Sequence, residues 1–407
     1  MSSEKTAKPK KSKVGFLSSI IAVIIGLLVG FIILLICNPQ QAAPGFFTIL
    51  TGSFTHGLKG VGQIFYYATP IILTGLSVGF AFNTGLFNIG APGQFMVGGL
   101  GAVVIGITCT FFGPFQWVAA LLGGFAMGML WGAVPGLLKA YFNVNEVIAS
   151  IMMNYIGMYL TNWTVKSTPA LFNSLRNESK SVAVTANLPK MGFDKLFPGS
   201  SLNAGFVIAV IAVVFIWVLL YKTKFGYELK ACGYNRFASK YAGINEKKNI
   251  MMAMVIAGAL SGLAGAIVML AGSGSHISIK DVIASEGFTG ISVALLGLSH
   301  PFGVLAAGIF IAYLTAGGFY LQLFQFSTEI IDIIVAVIIY FSAFALFVKM
   351  LIARFSRKKE ETGSTHDTGG SGAANVSPGV SAMAAERPEP KTDSAAGQKS
   401  EEGGDNV

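Results

Sequence analysis

The residues whose types and spacing could do chemistry gather in a few short segments. Asn83-Thr84-Gly85-Leu86-Phe87-Asn88-Ile89-Gly90-Ala91-Pro92-Gly93-Gln94 sets two asparagines, a glutamine, a proline and three glycines between apolar flanks. Amide side chains and a broken backbone are costly in hydrocarbon unless protein or a wetted cavity satisfies them. In a transporter such a break lines the solute path. Asn83, Asn88, Gly90 and Gln94 are therefore candidate path residues; a plain turn between two helices is the other reading. A second interrupted region, Glu286 to Gly308 with Pro301, sits in the other half of the chain. Two breaks in opposite halves point to a site near the middle of a membrane. Asn145, Glu146 and Asn154 open another apolar run. An acid there suits a helix N-terminus, and Glu146 and Asn154 join the candidate path. Glu329 and Asp332 open the last apolar run, where facing water is the simpler reading.

Catalysis has no starting residue. No G-x-x-x-x-G-K-[ST] run is present, so any ATP that drives this chain is bound by another. His56, His276, His300 and His366 are scattered, and Cys37, Cys109 and Cys232 form neither a disulfide framework nor a metal cluster. The chain reads as a non-enzyme with no metal and no cofactor.

The elements that must position these residues are hydrophobic. Of 407 residues 53% are hydrophobic and 12% charged, and the mean hydropathy is +0.66. A bilayer accommodates that composition and a soluble core does not. The expectation is an all-α, polytopic membrane helix bundle. Apolar runs lie at about 16–37, 61–82, 86–109, 114–138, 146–165, 204–221, 250–272, 286–299, 302–320 and 328–348, with a short amphipathic piece at 46–58. The net charge of +9 sits in an N-terminal basic run, internal polar stretches and the tail rather than on a nucleic-acid-binding face. Lys and Arg mark cytoplasmic ends. The basic residues 1–15 and those after 348 then lie inside, segment 166–203 lies outside, and parity calls for about ten spans, some short or broken. The transmembrane domain is 16–355. Residues 356–407, rich in Gly, Ser, Ala, Glu and Pro, read as a disordered cytoplasmic tail. Small-xxx-small spacings, such as Gly75 and Gly79, Gly124, Gly128 and Gly132, and Gly258 and Gly262, suit close helix packing in lipid.

Loop 222–249 carries seven basic residues against two acids and is placed in the cytoplasm. Within it Asn235 to Tyr241 reads as a short helix, with Asn235 as N-cap and Gly243 just past its end. A short capped helix between two spans suits docking on a soluble partner.

That loop, with Ser261-Gly262-Leu263-Ala264-Gly265-Ala266, resembles the permeases of bacterial ABC importers of the branched-chain amino acid and ribose superfamily. The matching loop positions are Ala231, Gly233, Asn235, Ala238, Ala242, Gly243 and Ile244, and Tyr241 lies among them. Phe87 to Gln94, Asn145-Glu146-Val147-Ile148 with Met153-Asn154, and Gly290 to Gly297 resemble the nucleoside or simple-sugar branch. Pro92 stands where that family more often has an acid. The resemblance covers about 60–350. It implies that loop 222–249 docks a cytoplasmic ABC ATPase, and that a second, related permease chain completes the path as a heterodimer. It also implies that an extracellular lipoprotein delivers a small polar solute, all in a bacterial plasma membrane. A nucleoside is the leading solute, with ribose or another simple sugar as the alternative. An ion-coupled secondary transporter would want ionisable groups deep in its spans. A structural anchor would not need two breaks.

Overall fold

The computed structural model describes residues 11–343 except Ser273; the expected tail and the basic residues after 348 lie outside them. The apolar runs form helices because backbone in hydrocarbon must satisfy its own N–H and C=O groups, and an α-helix does so within one segment. In chain order they are α1 (Lys11–Cys37), α2 (Ala42–Thr55), α3 (Gly57–Asn83), α4 (Ala91–Thr108), α5 (Gln116–Phe142), α6 (Glu146–Ser167), α7 (Phe193–Leu196), α8 (Gly205–Lys222), α9 (Lys224–Tyr234), α10 (Arg236–Tyr241), α11 (Glu246–Met269), α12 (Ser285–Leu296), α13 (Pro301–Phe319) and α14 (Thr328–Ala343). Among the described residues the strands are β1 (Phe172–Asn173) and β2 (Glu178–Ser179), one short antiparallel pair. The chain is an all-α membrane bundle.

Among the described residues, six helical stretches are long and apolar enough to cross a membrane: 57–83, 91–108, 110–142, 205–222, 246–269 and 301–324. Beside these six, α1, α6, α12 and α14 are further helices in the expected apolar runs, some of them short. α12 is the shortest of these. Its 12 residues rise about 18 Å, against a hydrocarbon core of about 30 Å. Two consecutive residues in the left-handed region, Leu298 and Ser299, stop it, and Pro301 opens α13 at a position where a missing N–H costs nothing. α12 runs parallel to the second half of α3, with Gly290 on Thr74, Val293 on Gly75 and Ser299 near Gly79.

Close packing follows the small residues. α11 lies against α4 and α5, and the contacts are backbone to backbone. A Cβ on Gly262 would come 2.6 Å from the Gly124 carbonyl oxygen and 2.6 Å from the Gly128 Cα. One on Gly258 would meet the Gly128 carbonyl at 2.3 Å. Without a hydrophobic drive between helices in lipid, this approach gives van der Waals contact its reach.

Segment 166–203 is less free than a polar loop. Val182, Ala186 and Leu188 are buried against the bundle. β2 is stitched to the segment before α12: Ser179 N–H donates to the Ile277 carbonyl at 2.9 Å, and Ile277 N–H to Ser179 Oγ at 2.8 Å.

Candidate solute path and docking surface

The first break is a short non-helical passage, Thr84 to Gly90, between α3 and α4. Gly85 turns it at a φ of +71°. Its amides are satisfied by each other. Asn88 Nδ2 donates to Gln94 Oε1 at 2.8 Å and lies 2.9 Å from Ser77 Oγ, while Gln94 Nε2 donates back to Asn88 Oδ1 at 3.0 Å. Ser77 in turn donates to the Ala257 carbonyl of α11 at 2.6 Å. Asn154, from α6, accepts from Gly93 N–H at 2.9 Å and donates to the Ile89 carbonyl at 3.0 Å. Asn88, Gln94 and Asn154 are buried. Gly90 is packed against Ser150, Asn88 and Gln94. Asn83 donates to the carbonyls of Gly79 at 2.8 Å and Ser299 at 2.7 Å, fastening α3 to the end of α12. Glu146 lies apart from this cluster, 2.8 Å from Lys139 Nζ across the α5–α6 turn. Asn145 caps α6 by accepting from Val147 N–H at 2.9 Å. Pro92 sits in the first turn of α4, where its ring needs no donor. The α12 backbone presses on it there: a Cβ on Gly287 would lie 2.4 Å from Pro92 N. The N-termini of α4 and α12 thus meet.

A cavity of about 570 Å³ opens beside that meeting point. That is an ordinary size for a small-molecule site. Its aromatic wall is Tyr66, Tyr67 and Phe288; its polar groups include Asn203, Ser285, Glu286, Thr289, Ser292 and Asp332. Pro70, inside α3, also lines it. A proline has no N–H, so the Tyr66 carbonyl loses its helical donor at this wall. A second cavity of about 380 Å³ adjoins, sharing Val268, Ser285 and Glu286. Neither cavity is lined by Asn83, Asn88, Gly90, Gln94, Glu146 or Asn154. Sequence reading missed the aromatic wall because Tyr66 and Tyr67 sit in an uninterrupted apolar run. The second break did signal Glu286.

The 222–249 loop folds as α9 and α10. Asn235 Oδ1 accepts from Ala238 N–H at 3.0 Å, so it caps α10. Gly243 follows at a φ of +78°, the left-handed stop that glycine adopts without strain. Arg236 reaches Glu246 at 3.9 Å, tying α10 to the first turn of α11. Asn235, Ala238, Tyr241, Ala242 and Gly243 are exposed, whereas Ala231, Gly233 and Ile244 are half-buried. Tyr234, Phe237 and Tyr241 are 91%, 79% and 94% exposed. Three bare aromatic rings on one short segment make it the candidate contact surface. Gly233, at the end of α9, packs directly on the first break. A Cβ there would lie 2.7 Å from the Thr84 carbonyl carbon and 2.8 Å from Gly85 N.

A bundle of apolar helices with a polar break between α3 and α4, a cavity of small-molecule size and an exposed aromatic segment is the architecture of a membrane permease. Residues 60–343 match the family described as branched-chain amino acid transport system / permease component, and the chain belongs to that family. It is 37% identical over 342 residues to the guanosine ABC transporter permease protein NupP of Bacillus subtilis, covering 83% of this chain and 96% of the relative. It is 31% identical over 341 residues to the nucleoside ABC transporter permease protein NupB of Lactococcus lactis, covering 82% and 92%. It is 30% identical over 302 residues to the glucose ABC transporter permease protein TsgB13 of Haloferax volcanii, covering 71% and 77%. No solved structure matches.

Proposed function

We propose that this chain is one of two permease subunits of an ABC importer that moves nucleosides inward across a bacterial plasma membrane. The observation that carries the reading is the identity of 37% across 96% of a guanosine permease. An ABC ATPase docks on α9 and α10 from the cytoplasm, with Ala231, Gly233, Asn235, Ala238, Tyr241, Ala242, Gly243 and Ile244 forming or supporting the contact. Both termini lie on that side. A related but different permease chain completes the path, and an extracellular lipoprotein delivers the solute. The solute enters the cavity walled by Tyr66, Tyr67 and Phe288. Asn83, Asn88, Gly90, Gln94, Glu146 and Asn154 bound the inner part of the route in the state where α4 and α12 part. The chain itself makes and breaks no covalent bond; it needs different contacts in two states.

Uptake of labelled uridine and guanosine, in cells with and without the gene, tests this reading. Ribose, glucose, nucleobases and branched-chain amino acids serve as competitors. Loss of uptake on deletion, competed by nucleosides alone, is expected. Unchanged nucleoside uptake with lost sugar uptake would favour the second reading, a sugar permease, to which the 30% identity to a glucose permease lends weight.

A further inference from the structure

The two cavities share one carboxylate. Glu286 lies in the first turn of α12 and lines both. Its carbonyl lies 3.1 Å from Thr74 Oγ1 of α3, a hydroxyl that also reaches the Pro70 carbonyl at 3.0 Å. Its side chain enters no ion pair among the described residues. The larger cavity adds a second acid, Asp332, and among the described residues no Lys, Arg or His lines it. The smaller cavity has one cation in its wall, Lys280, and one further polar group that points to a ligand. Thr161 is 1% exposed, lines that cavity, and its Oγ1 has no hydrogen-bond partner.

A carboxylate is an acceptor only. In a half-open, partly apolar site it repels anions and takes its hydrogen bonds from paired donors, and such charge-assisted bonds are the strong ones. Aromatic rings beside it stack flat heterocycles. A nucleoside answers both features: its vicinal hydroxyls present two donors, its base presents a π-face, and it carries no charge. A nucleoside monophosphate fails on charge. A branched-chain amino acid brings a carboxylate to an acidic wall and has no ring.

We propose that Glu286 is the solute-recognition carboxylate of this permease, accepting hydrogen bonds from the vicinal hydroxyls of an uncharged riboside whose base stacks in the Tyr66, Tyr67 and Phe288 wall. The proposal rests on the nucleoside reading for the identity of the solute, and on cavity chemistry alone for the role of Glu286.

The test uses the full chain, purified with its co-expressed partner subunits and without the binding lipoprotein, which has its own selectivity. Thermal stabilisation is titrated with uridine, 2′,3′-dideoxyuridine, uridine 5′-monophosphate, ribose and glucose, for wild type and Glu286→Gln. Wild type is expected to respond to uridine at least about tenfold more tightly than to the dideoxy analogue, since one charge-assisted hydrogen bond carries that much. It should respond to the monophosphate hardly at all. Glu286→Gln, which keeps the shape and the backbone contact with Thr74, should lose the preference for vicinal hydroxyls and accept the monophosphate better. An unchanged uridine-over-dideoxyuridine ratio in Glu286→Gln overturns the proposal, and so does a wild type that responds to none of the five. If wild type responds to a sugar alone and Glu286→Gln abolishes it, the carboxylate site stands and the nucleoside reading falls.

Discussion

The contact between Gly233 and the first break allows a quantitative expectation. Replacing Gly233 by Ala puts a methyl 2.7 Å from the Thr84 carbonyl carbon, 2.8 Å from Gly85 N and 3.1 Å from the Asn83 carbonyl oxygen. Non-bonded carbons settle at about 3.5–4.0 Å, so the two segments must part by close to 1 Å. All three neighbours are backbone, and no rotamer change absorbs the strain. Overpacking of this kind costs about 1–3 kcal/mol. The reciprocal change, Gly85→Ala, meets Gly233 Cα at 2.7 Å and also forces an alanine to a φ of +71°, which adds about 1–2 kcal/mol. The assay is thermal unfolding of the purified importer, with solute uptake and ATP hydrolysis measured on the same preparation. Both single variants should lose stability, Gly85→Ala more, and uptake should fall further than hydrolysis. The double variant should lose less than the sum, because the second methyl enters space the first has opened. Wild-type stability and uptake in Gly233→Ala would refute the tight contact. Strict additivity would show that the two glycines do not share it.

Two further outcomes follow from the same geometry, beside the uptake and Glu286 experiments described above. Asn88→Leu strands the buried Gln94 amide, at about 1–3 kcal/mol for each polar group left unpaired. Its unfolding temperature should drop, and the double replacement Asn88→Leu with Gln94→Leu should recover much of the loss; no recovery would show that the pair does more than satisfy itself. A Cβ on Gly243 would meet nothing within 4 Å, so Gly243→Trp should cost this chain mainly the left-handed strain of about 1–2 kcal/mol and yet release the ATPase on co-purification. Retained association would remove Gly243 from the docking face.

Much of this was legible from residue types. Asn235 ahead of a six-residue run and Gly243 after it specified α10 and both its ends, because capping is a local matter of one side-chain oxygen and one left-handed residue. The glycine spacing in 124–132 and 258–262 marked close helix packing in lipid, and the structure sets these two stretches against each other in the α5–α11 contact. Boundaries and lengths were harder. The run 286–299 reads as a crossing on hydropathy, yet α12 ends at Leu296 because Leu298 and Ser299 adopt positive φ, which neither residue type advertises. The cavity wall was hidden for a different reason. Tyr66, Tyr67 and Phe288 come from two helices far apart in the chain, and only tertiary packing brings them together. The polar break, conversely, was conspicuous in the sequence, and the structure shows why it is tolerated: Asn88, Gln94, Ser77 and Asn154 satisfy one another and the freed backbone.

The placement of these bonds says how the 222–249 loop and the cavity can be linked. α3 touches both ends of the problem. At Asn83 to Gly85 it bears on Gly233 of α9, and at Tyr66 to Ile71 it walls the cavity. α12 is fastened alongside it at two levels, by the contact of Thr74 with the Glu286 carbonyl near one end and by Asn83 to the Ser299 carbonyl at the other. Two fastenings on a helix of about 18 Å leave little freedom for α12 to slide on α3, so the pair should travel as one body when Gly85 is pushed. The N-terminus of α4 is held differently, by Asn154 of α6 through Gly93 N–H and by packing of Gly287 on Pro92. The seam between α12 and α4 is then the place where such a displacement opens space. Glu286 stands at that seam, one residue before Gly287. A push on α9 at Gly233 would therefore change the surroundings of the one carboxylate that both cavities share, which is the differential contact that coupling requires.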